Sequence, residues 1–183
     1  MLRKSALALA LLASPAFAFE DTPAPNLVID IAGAAKGQVI IDLAADTAPQ
    51  HAAQIMALAK SGAYDGVIFH RVIDGFMAQT GDVQYGKSGS DTAMAGMGGS
   101  AMPNIPGEFT QETFARGIVG MARAQDPNSA NSQFFIMFDD GPFLDGQYTV
   151  IGRVVAGMEV VDAITRGEPP EVPEVMSKVT VQE

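Results

Sequence analysis

Short apolar segments separated by glycine-containing turns recur along most of the chain and constrain its fold more than any other feature. Residues 26–31 and 37–43 are rich in Val, Ile and Leu and are joined by a short turn region, which predicts a hairpin. Further strands are predicted at 67–72, 76–79, 105–109, 117–122, 133–137, 148–155 and 178–181. Because so many strands alternate with turns, we expect a mainly β fold, a closed antiparallel sheet.

A first helix is predicted between the hairpin and the third strand. Asp46 and Thr47 offer a capping side chain, Pro49 fits the first turn, and Gly62 ends the apolar run. The apolar positions at helical spacing are Ala52, Ile55, Met56, Leu58 and Ala59.

A second, shorter helix is predicted near the end of the chain. Residues 157–164 place Met158, Val161 and Ile164 on one face. In contrast, residues 83–105 have no periodicity and are rich in Gly, Ser and Met, which predicts a long surface loop. No repeat or linker marks a second domain, so we expect residues 19–183 to form one.

The first 18 residues have the pattern of a signal peptide. Basic Arg3 and Lys4 precede an apolar run at 6–13 and a small-x-small site that ends at Ala18. The alternative is a membrane or amphipathic helix, but the run is too short to span a bilayer. We therefore expect cleavage near Ala18 and a periplasmic or secreted mature protein, with no membrane association after processing.

Composition excludes several kinds of site. Cysteine is absent, which rules out disulfides, thiol nucleophiles and cysteine metal sites. The chain has 11 basic residues; without Arg3 and Lys4, 9 remain against 21 acidic ones, a formal charge of −12. Such a surface repels phosphate backbones and anionic lipids, so we expect no nucleic-acid partner. No cofactor or metal is expected, and nothing in the sequence demands more than a monomer.

The segment 69–82, FHRVIDGFMAQTGD, sets one arginine among apolar side chains. Arg71 remains charged, and the apolar neighbours Phe76 and Met77 lower the local dielectric, which makes its guanidinium a strong hydrogen-bond donor. Proline in a peptide suits such a site, since it joins an apolar ring to an amide nitrogen. Rotation about that amide has a barrier of roughly 18–20 kcal/mol. A donor that bonds the nitrogen only in the twisted state lowers this barrier.

This segment resembles the signature of cyclophilins, the peptidyl-prolyl cis-trans isomerases. Residues 121–136, MARAQDPNSANSQFFI, and 143–154, FLDGQYTVIGRV, resemble two further blocks of that family, in the same order. The resemblance implies a closed eight-stranded antiparallel β-barrel capped by two α-helices, with the site on its outer face. It also implies an enzyme that isomerises Xaa-Pro bonds in unfolded or folding proteins and here assists exported ones.

The family's site residues can be placed on matching positions of this chain. Arg71 matches the catalytic arginine. The other matches bind the peptide: Phe76, Met77, Phe135 and Leu144 in the proline pocket, Gln79 and Gln133 at polar positions, Ala122, Arg123 and Ala124 alongside the peptide backbone, and Phe143 and Tyr148 nearby. Phe134 and Phe135 must face opposite sides of a strand, and only the resemblance selects Phe135 for the pocket.

Three of these positions depart from the family pattern. Phe143 replaces a tryptophan and Tyr148 a histidine that are common in eukaryotic cyclophilins, while Arg123 replaces a common asparagine. The tryptophan N–H helps the family bind cyclosporin. We therefore expect weak cyclosporin binding, with isomerisation retained.

Other interpretations remain open at this stage. The chain could be a proline-peptide binding module or chaperone with little catalysis. Arg71 could be a structural ion-pair partner of Asp74 or Asp82, and we expect His51 and His70 to be structural. In an exported protein, the loop methionines Met94, Met97 and Met102 could bind Cu(I), although loop packing is the commoner use of such residues.

Overall fold

The structure is a computed structural model that describes residues 25–183. The predicted signal peptide and its cleavage site lie outside the described residues. The strands are β1 Asn26–Ala32, β2 Gly37–Leu43, β3 Val67–Ile68, β4 Arg71–Ile73, β5 Met77–Thr80, β6 Ile118–Met121, β7 Phe134–Met137, β8 Val150–Ala156 and β9 Val175–Gln182. The helices are α1 Pro49–Lys60 and α2 Met158–Asp162, with a 3₁₀ helix at Pro142–Leu144.

All nine strands join one antiparallel sheet in the order β3-β9-β1-β2-β8-β6-β7-β5-β4. The edge strands β3 and β4 are separated in the chain only by Phe69 and His70, so the sheet curls until its edges are neighbours. No ladder joins those edges within residues 25–183. The mainly β fold with two helices is confirmed, but the expected closed barrel of eight strands is wrong: the sheet has nine strands and is open.

The opening has a local cause at the segment that was expected to form one strand, 67–72. Its first part, β3, pairs with β9, whereas its second part, β4, pairs with β5. Between them, the Phe69 N–H donates to Glu174 O and the His70 N–H donates to Gln79 O. Because its two halves pair with different strands, the segment cannot bridge the gap as one continuous strand.

The strand predicted at 105–109 is also absent. Ile105 makes a single bridge with Ala130, and the next backbone amides donate to side chains, Gly107 to Asn128 Oδ1 and Glu108 to Thr149 Oγ1. These bonds replace a ladder. The long irregular loop predicted at 83–105 is confirmed, since only isolated bridges interrupt it.

Helix α1 covers the predicted segment, but its cap is not the predicted one. Pro49 occupies the first turn, and the N-cap residue Ala48 has no side-chain hydrogen bond to give. Instead, the carboxylate of Glu108 accepts the backbone N–H groups of Gln50 and His51, each at 3.1 Å. A distant residue therefore satisfies the free amides of the helix and adds negative charge where the helix dipole favours it.

Strands β4 to β7 separate two apolar clusters, since successive side chains point to opposite faces. The main cluster lies inside the curled sheet, where α1 packs on β9 and α2 on β2. From these four strands it takes Val72, Ala78, Val119, Met121, Phe134 and Ile136. The second cluster lies on the outer face and contains Met77, Phe114, Ile118, Phe135, Met137, Leu144 and Val150. Phe134 and Phe135 therefore face opposite sides, as expected.

Candidate active site

Strand register aligns the polar and aromatic residues of the outer face in one row. Arg71 on β4 lies opposite Gln79 on β5, Gln79 lies opposite Phe135 on β7, and Phe135 lies opposite Gly120 on β6. Directly opposed residues of antiparallel strands project from the same face. The sheet thus presents a charged donor, an amide and an aromatic ring side by side.

A cavity of about 450 Å³, the first cavity, covers this row. It is lined by Arg71, Phe76, Met77, Gln79, Ala122, Arg123, Phe135, Phe143, Leu144, Gln147 and Tyr148. Ten of these eleven residues were predicted site residues, and Gln147 was missed although it lies within the third signature block. The structure therefore brings together residues from three separate parts of the chain.

The floor of the first cavity is apolar and closely packed. Met77, Phe135 and Leu144 are buried, and the Phe135 ring stacks on Phe114 with ring centroids 5.9 Å apart. Gly120 permits this packing, because a Cβ there would lie 2.6 Å from the Phe114 ring and closer still to Phe135. The floor can accept an apolar ring without bringing polar groups into contact with it.

Phe143 forms the outer rim of the first cavity. It lies in the 3₁₀ helix, is 63% exposed, and its ring centroid is 5.5 Å from that of Phe76. An aromatic side chain this exposed has little structural use at its position, so its surface is available to a ligand.

A second cavity of about 430 Å³ adjoins the first and shares Gln79, Ala122 and Arg123 with it. The predicted residues Ala124 and Gln133 line this second cavity, not the first. Gln79 Nε2 donates to Gln133 Oε1 at 2.9 Å, and Gln133 Nε2 donates to the backbone carbonyls of Gly96 and Gly98. The two amides therefore link the row on the sheet to the long loop.

Buried Asp82 holds that loop in place. Its carboxylate accepts the backbone N–H groups of Gln84, Tyr85, Gly96 and Gly98 at 2.8–3.0 Å. Several backbone donors on one buried carboxylate satisfy its charge and fix both ends of the turn. This role makes the suggested ion pair between Asp82 and Arg71 wrong.

The two cavities together form a groove, and Arg123 lies where they meet. Its guanidinium lies 4.4 Å from the Tyr148 ring centroid and donates to Gln147 O and Ala124 O. The flanking amides of Ala122 and Ala124 donate to Gln133 O and Ser129 Oγ. No hydrogen bond among residues 25–183 uses the backbone N–H of Arg123, which is thus available to a peptide.

The partner of Arg71 is a residue that the sequence did not indicate. Arg71 Nε donates to Glu168 Oε2 at 2.8 Å, whereas the other suggested partner, Asp74, pairs with Arg166. The Arg71 and Glu168 side chains are 42% and 52% exposed. Exposed ion pairs contribute about 0–1 kcal/mol to stability, which is too little to explain Arg71 as a structural residue.

Both histidines are buried. His51 Nδ1 lies 2.6 Å from Glu108 Oε2, and within the described chain His51 Nε2 and both nitrogens of His70 have no hydrogen-bond partner. Burial lowers the pKa of His70, although the nearby Asp82 carboxylate acts in the opposite direction. His70 is therefore neutral at neutral pH.

Residues 25–183 contain no group of three or more His, Asp or Glu side chains placed to hold a metal ion. Met94 and Met97 are exposed on the long loop, and Met97 lines the second cavity. None of the helices described there is long and apolar enough to cross a membrane.

Comparison with known sequences gives a consistent result. Residues 28–183 match the family model described as cyclophilin type peptidyl-prolyl cis-trans isomerase/CLD. A probable peptidyl-prolyl cis-trans isomerase of Brucella suis is 62% identical over 137 residues, which cover 74% of this chain and 70% of the relative. Peptidyl-prolyl cis-trans isomerase ppi1 of Schizosaccharomyces pombe is 39% identical over 130 residues, covering 68% and 76%.

Solved structures agree with the sequence comparisons. The cyclophilin AquaCyp293 from Hirschia baltica has a TM-score of 0.72 at 30% identity, covering 85% of this chain and 73% of that one. A Cryptosporidium parvum cyclophilin type peptidyl-prolyl cis-trans isomerase, crystallised in the presence of the dipeptide Ala-Pro, has a TM-score of 0.74 at 26% identity. The match covers 86% of this chain and 99% of that one.

Proposed function

Because the chain belongs to the cyclophilin family and is a peptidyl-prolyl cis-trans isomerase, we propose that Arg71 is its catalytic residue and that the two adjoining cavities bind its substrate. The observation that carries this proposal is the row in which Arg71 and Gln79 stand beside the apolar floor at Phe135. A proline ring fits the first cavity. The substrate peptide on either side of this ring can form hydrogen bonds with the side-chain amides of Gln79 and Gln133 and with the free backbone N–H of Arg123.

Catalysis then requires no nucleophile, metal or proton transfer. As the peptide bond twists, its nitrogen loses conjugation and accepts a hydrogen bond from the Arg71 guanidinium, which the planar nitrogen cannot do. A turnover of about 10³ s⁻¹ would need a barrier near ~13 kcal/mol, roughly 5–7 kcal/mol below the uncatalysed one. One charged donor supplies about 3–4 kcal/mol, and pre-organised binding supplies the rest.

The comparisons favour an enzyme over a proline-peptide binding module with little catalysis. A binder needs the apolar pocket, but it has no use for a donor that acts only on the twisted bond. Arg71 lines the cavity together with the apolar floor, which supports the catalytic role.

The test is the cis-to-trans isomerisation of a short Xaa-Pro peptide, measured with the mature chain and with Arg71→Ala. We expect the variant to lose one to three orders of magnitude in kcat/KM while it still binds the peptide. The control is Lys36→Ala, which removes an exposed cation that lines neither cavity. Arg153 would not serve, because it lies within the sheet. Equal activity of Arg71→Ala and the wild type would contradict the catalytic role.

We further propose that the enzyme acts on exported proteins in the periplasm or outside the cell. Support comes from the basic start, apolar run and small-x-small site of residues 1–18. Uncatalysed isomerisation takes tens to hundreds of seconds, so newly exported chains gain from a catalyst. Proline-containing segments of such chains are the proposed partners, bound by a monomer.

Expression of the full sequence in a bacterium, followed by cell fractionation and mass measurement, tests this proposal. We expect a protein beginning at Phe19 in the exported fraction, and uncleaved precursor when Ala18 is replaced by Leu. Full-length protein confined to the cytoplasm would contradict export without affecting the isomerase activity.

A further inference from the structure

We propose that Glu168 is a positioning residue for Arg71, an inference that rests on the proposed catalytic role of Arg71. The pair joins the Nε–H of the guanidinium to the carboxylate at 2.8 Å. A guanidinium has five N–H donors in one plane, and this bond uses the one nearest the side-chain stem. The four N–H groups at the far edge remain for a substrate, and holding Nε fixes the plane in which they point.

The backbone places the two residues directly across from each other. Val72 and Gly167 form an antiparallel bridge in which each N–H donates to the other residue's carbonyl, at 2.7 and 2.8 Å. Arg71 precedes Val72 and Glu168 follows Gly167, so the next pair in this register is Arg71 with Glu168. Opposed side chains in such a pair lie on the same face, which brings the carboxylate to Arg71 without any rearrangement.

The segment that carries Glu168 is itself anchored on both sides. Before it, the Arg166 guanidinium lies 4.0 Å from the Phe138 ring centroid and donates to Ile164 O. Buried Glu174 accepts both the N–H and the hydroxyl of Thr165, at 3.0 and 2.9 Å. After Glu168, two consecutive prolines limit the backbone. The contacts of Thr165 and Arg166 on one side and the two prolines on the other therefore limit the conformations open to the backbone at Glu168.

Arg71 needs such a partner because its side chain is 42% exposed at the rim of the first cavity. Its other neighbours do not hold it: Gln79 bonds Gln133, and Asp74 bonds Arg166. A long, half-exposed arginine otherwise samples many rotamers, and only a fraction of them face the bound proline. An interaction that raises this fraction increases kcat even if it hardly changes the stability of the fold.

The first experiment compares Glu168→Ala, Glu168→Gln and a control, Glu171→Ala, in the mature enzyme. Glu171 is an exposed carboxylate three residues further along the same segment, so its removal changes the net charge equally. With a short Xaa-Pro peptide, we expect Glu168→Ala to lower kcat by about 3–10-fold with little change in KM. Glu168→Gln should remain within about twofold of the wild type, because its amide oxygen can still accept the Nε–H. Glu171→Ala should match the wild type.

A double variant shows whether Glu168 acts through Arg71. We expect Arg71→Ala and Arg71→Ala/Glu168→Ala to have the same residual activity, since the second change then has nothing left to position. The ¹⁵N–¹H NMR signal of Arg71 Nε should be retained in Glu168→Gln and Glu171→Ala and lost or shifted in Glu168→Ala.

Wild-type activity in the Arg71→Ala variant would overturn the catalytic role of Arg71. If Arg71→Ala is impaired, an unchanged or raised kcat in Glu168→Ala overturns the positioning role. An equal loss from Glu168→Ala in the Arg71→Ala background does so as well, because it would show an effect that does not pass through Arg71.

Discussion

At the scale of single residues, we expect Phe143 to influence ligand preference without affecting the fold. It contacts Phe76 at the cavity rim and is mostly exposed, so replacing its ring changes what a ligand meets and leaves the buried floor intact. A phenyl ring offers an apolar surface but no hydrogen-bond donor. The side chain at this rim therefore offers an apolar contact but no hydrogen bond to a ligand.

Phe143→Trp should raise the affinity for cyclosporin by about tenfold or more, because the indole N–H adds a donor at the rim, worth about 1–2 kcal/mol. The measurement is inhibition of isomerisation by cyclosporin in the wild type and the variant, with Phe109→Trp, an exposed ring outside both cavities, as the control. Nanomolar inhibition of the unmodified enzyme would contradict the expected weak binding.

At the scale of elements, β6 supports the site through a residue that has no side chain. Gly120 lies opposite Phe135, and its missing Cβ leaves space in which Phe114 and Phe135 stack. Position 120 must therefore remain glycine, although larger residues have a higher propensity for strands. Its packing partners come from β7 and from the segment before β6, which no local pattern reveals.

Gly120→Ala should displace the Phe135 ring, since the added methyl group overlaps both aromatic rings. Overpacking of this kind costs about 1–3 kcal/mol, and the shifted floor should lower kcat/KM several-fold. Urea unfolding and the peptide isomerisation assay measure the two effects. Gly89→Ala is the control: Gly89 lies in the surface loop with open space around it and a φ of +81°, so alanine there strains the backbone without touching the Phe135 ring. A loss of kcat/KM in Gly89→Ala equal to that in Gly120→Ala would contradict the packing argument.

The start of α1 depends on Glu108, and this dependence predicts a response to pH. Partial burial raises the pKa of Glu108, but the hydrogen bonds from His51 and from the amides of Gln50 and His51 outweigh it, so the pKa lies below its ordinary value of 4.5. The unfolded state then binds more protons in this range. The stabilisation is complete above about pH 4.5 and is lost as the pH falls through the folded-state pKa.

Glu108→Gln should lower the free energy of unfolding at pH 7 by about 1 kcal/mol, because the neutral amide no longer supplies the negative charge that the start of the helix favours. The difference from the wild type should shrink as the pH falls below 4.5, where the wild-type carboxylate also becomes neutral. Urea unfolding at several pH values measures it, with Glu171→Gln as the control. A difference that is constant with pH would show that charge at Glu108 is not what stabilises the helix.

At the scale of the whole molecule, the sheet separates a cluster that holds the fold together from one that forms the site. Ile29 belongs to the main cluster inside the sheet, and Met77 to the second cluster beneath the first cavity. Both side chains are buried almost completely. Their loss should therefore cost similar stability but differ in its effect on function.

Ile29→Ala and Met77→Ala should each lower the free energy of unfolding by about 2–5 kcal/mol. Only Met77→Ala should also lower kcat/KM, by about tenfold, because it removes part of the floor on which we propose that the proline ring is bound. Urea unfolding and isomerisation at a temperature where both variants are folded separate the two effects. An equal loss of activity in Ile29→Ala would show that the two clusters are not independent.

The sequence by itself determined the features that are local. Apolar segments located the strands of the hairpin and helical spacing located α1, because side chains at periods of two and 3.6 residues share a face. The residues that line the first cavity were named in another way, from the resemblance of three sequence blocks to the cyclophilin family. Periodicity alone could not have named those ten residues.

Only the tertiary structure decided the features that depend on partners far along the chain. The sheet is open because β3 and β4 pair with different strands, and α1 is capped by Glu108, 58 residues from Gln50. Glu168 lies 97 residues from Arg71, and only the bridge between Val72 and Gly167 brings it there. Local sequence patterns do not predict contacts between residues so far apart in the chain, since the segment between them can take any path until the whole sheet assembles.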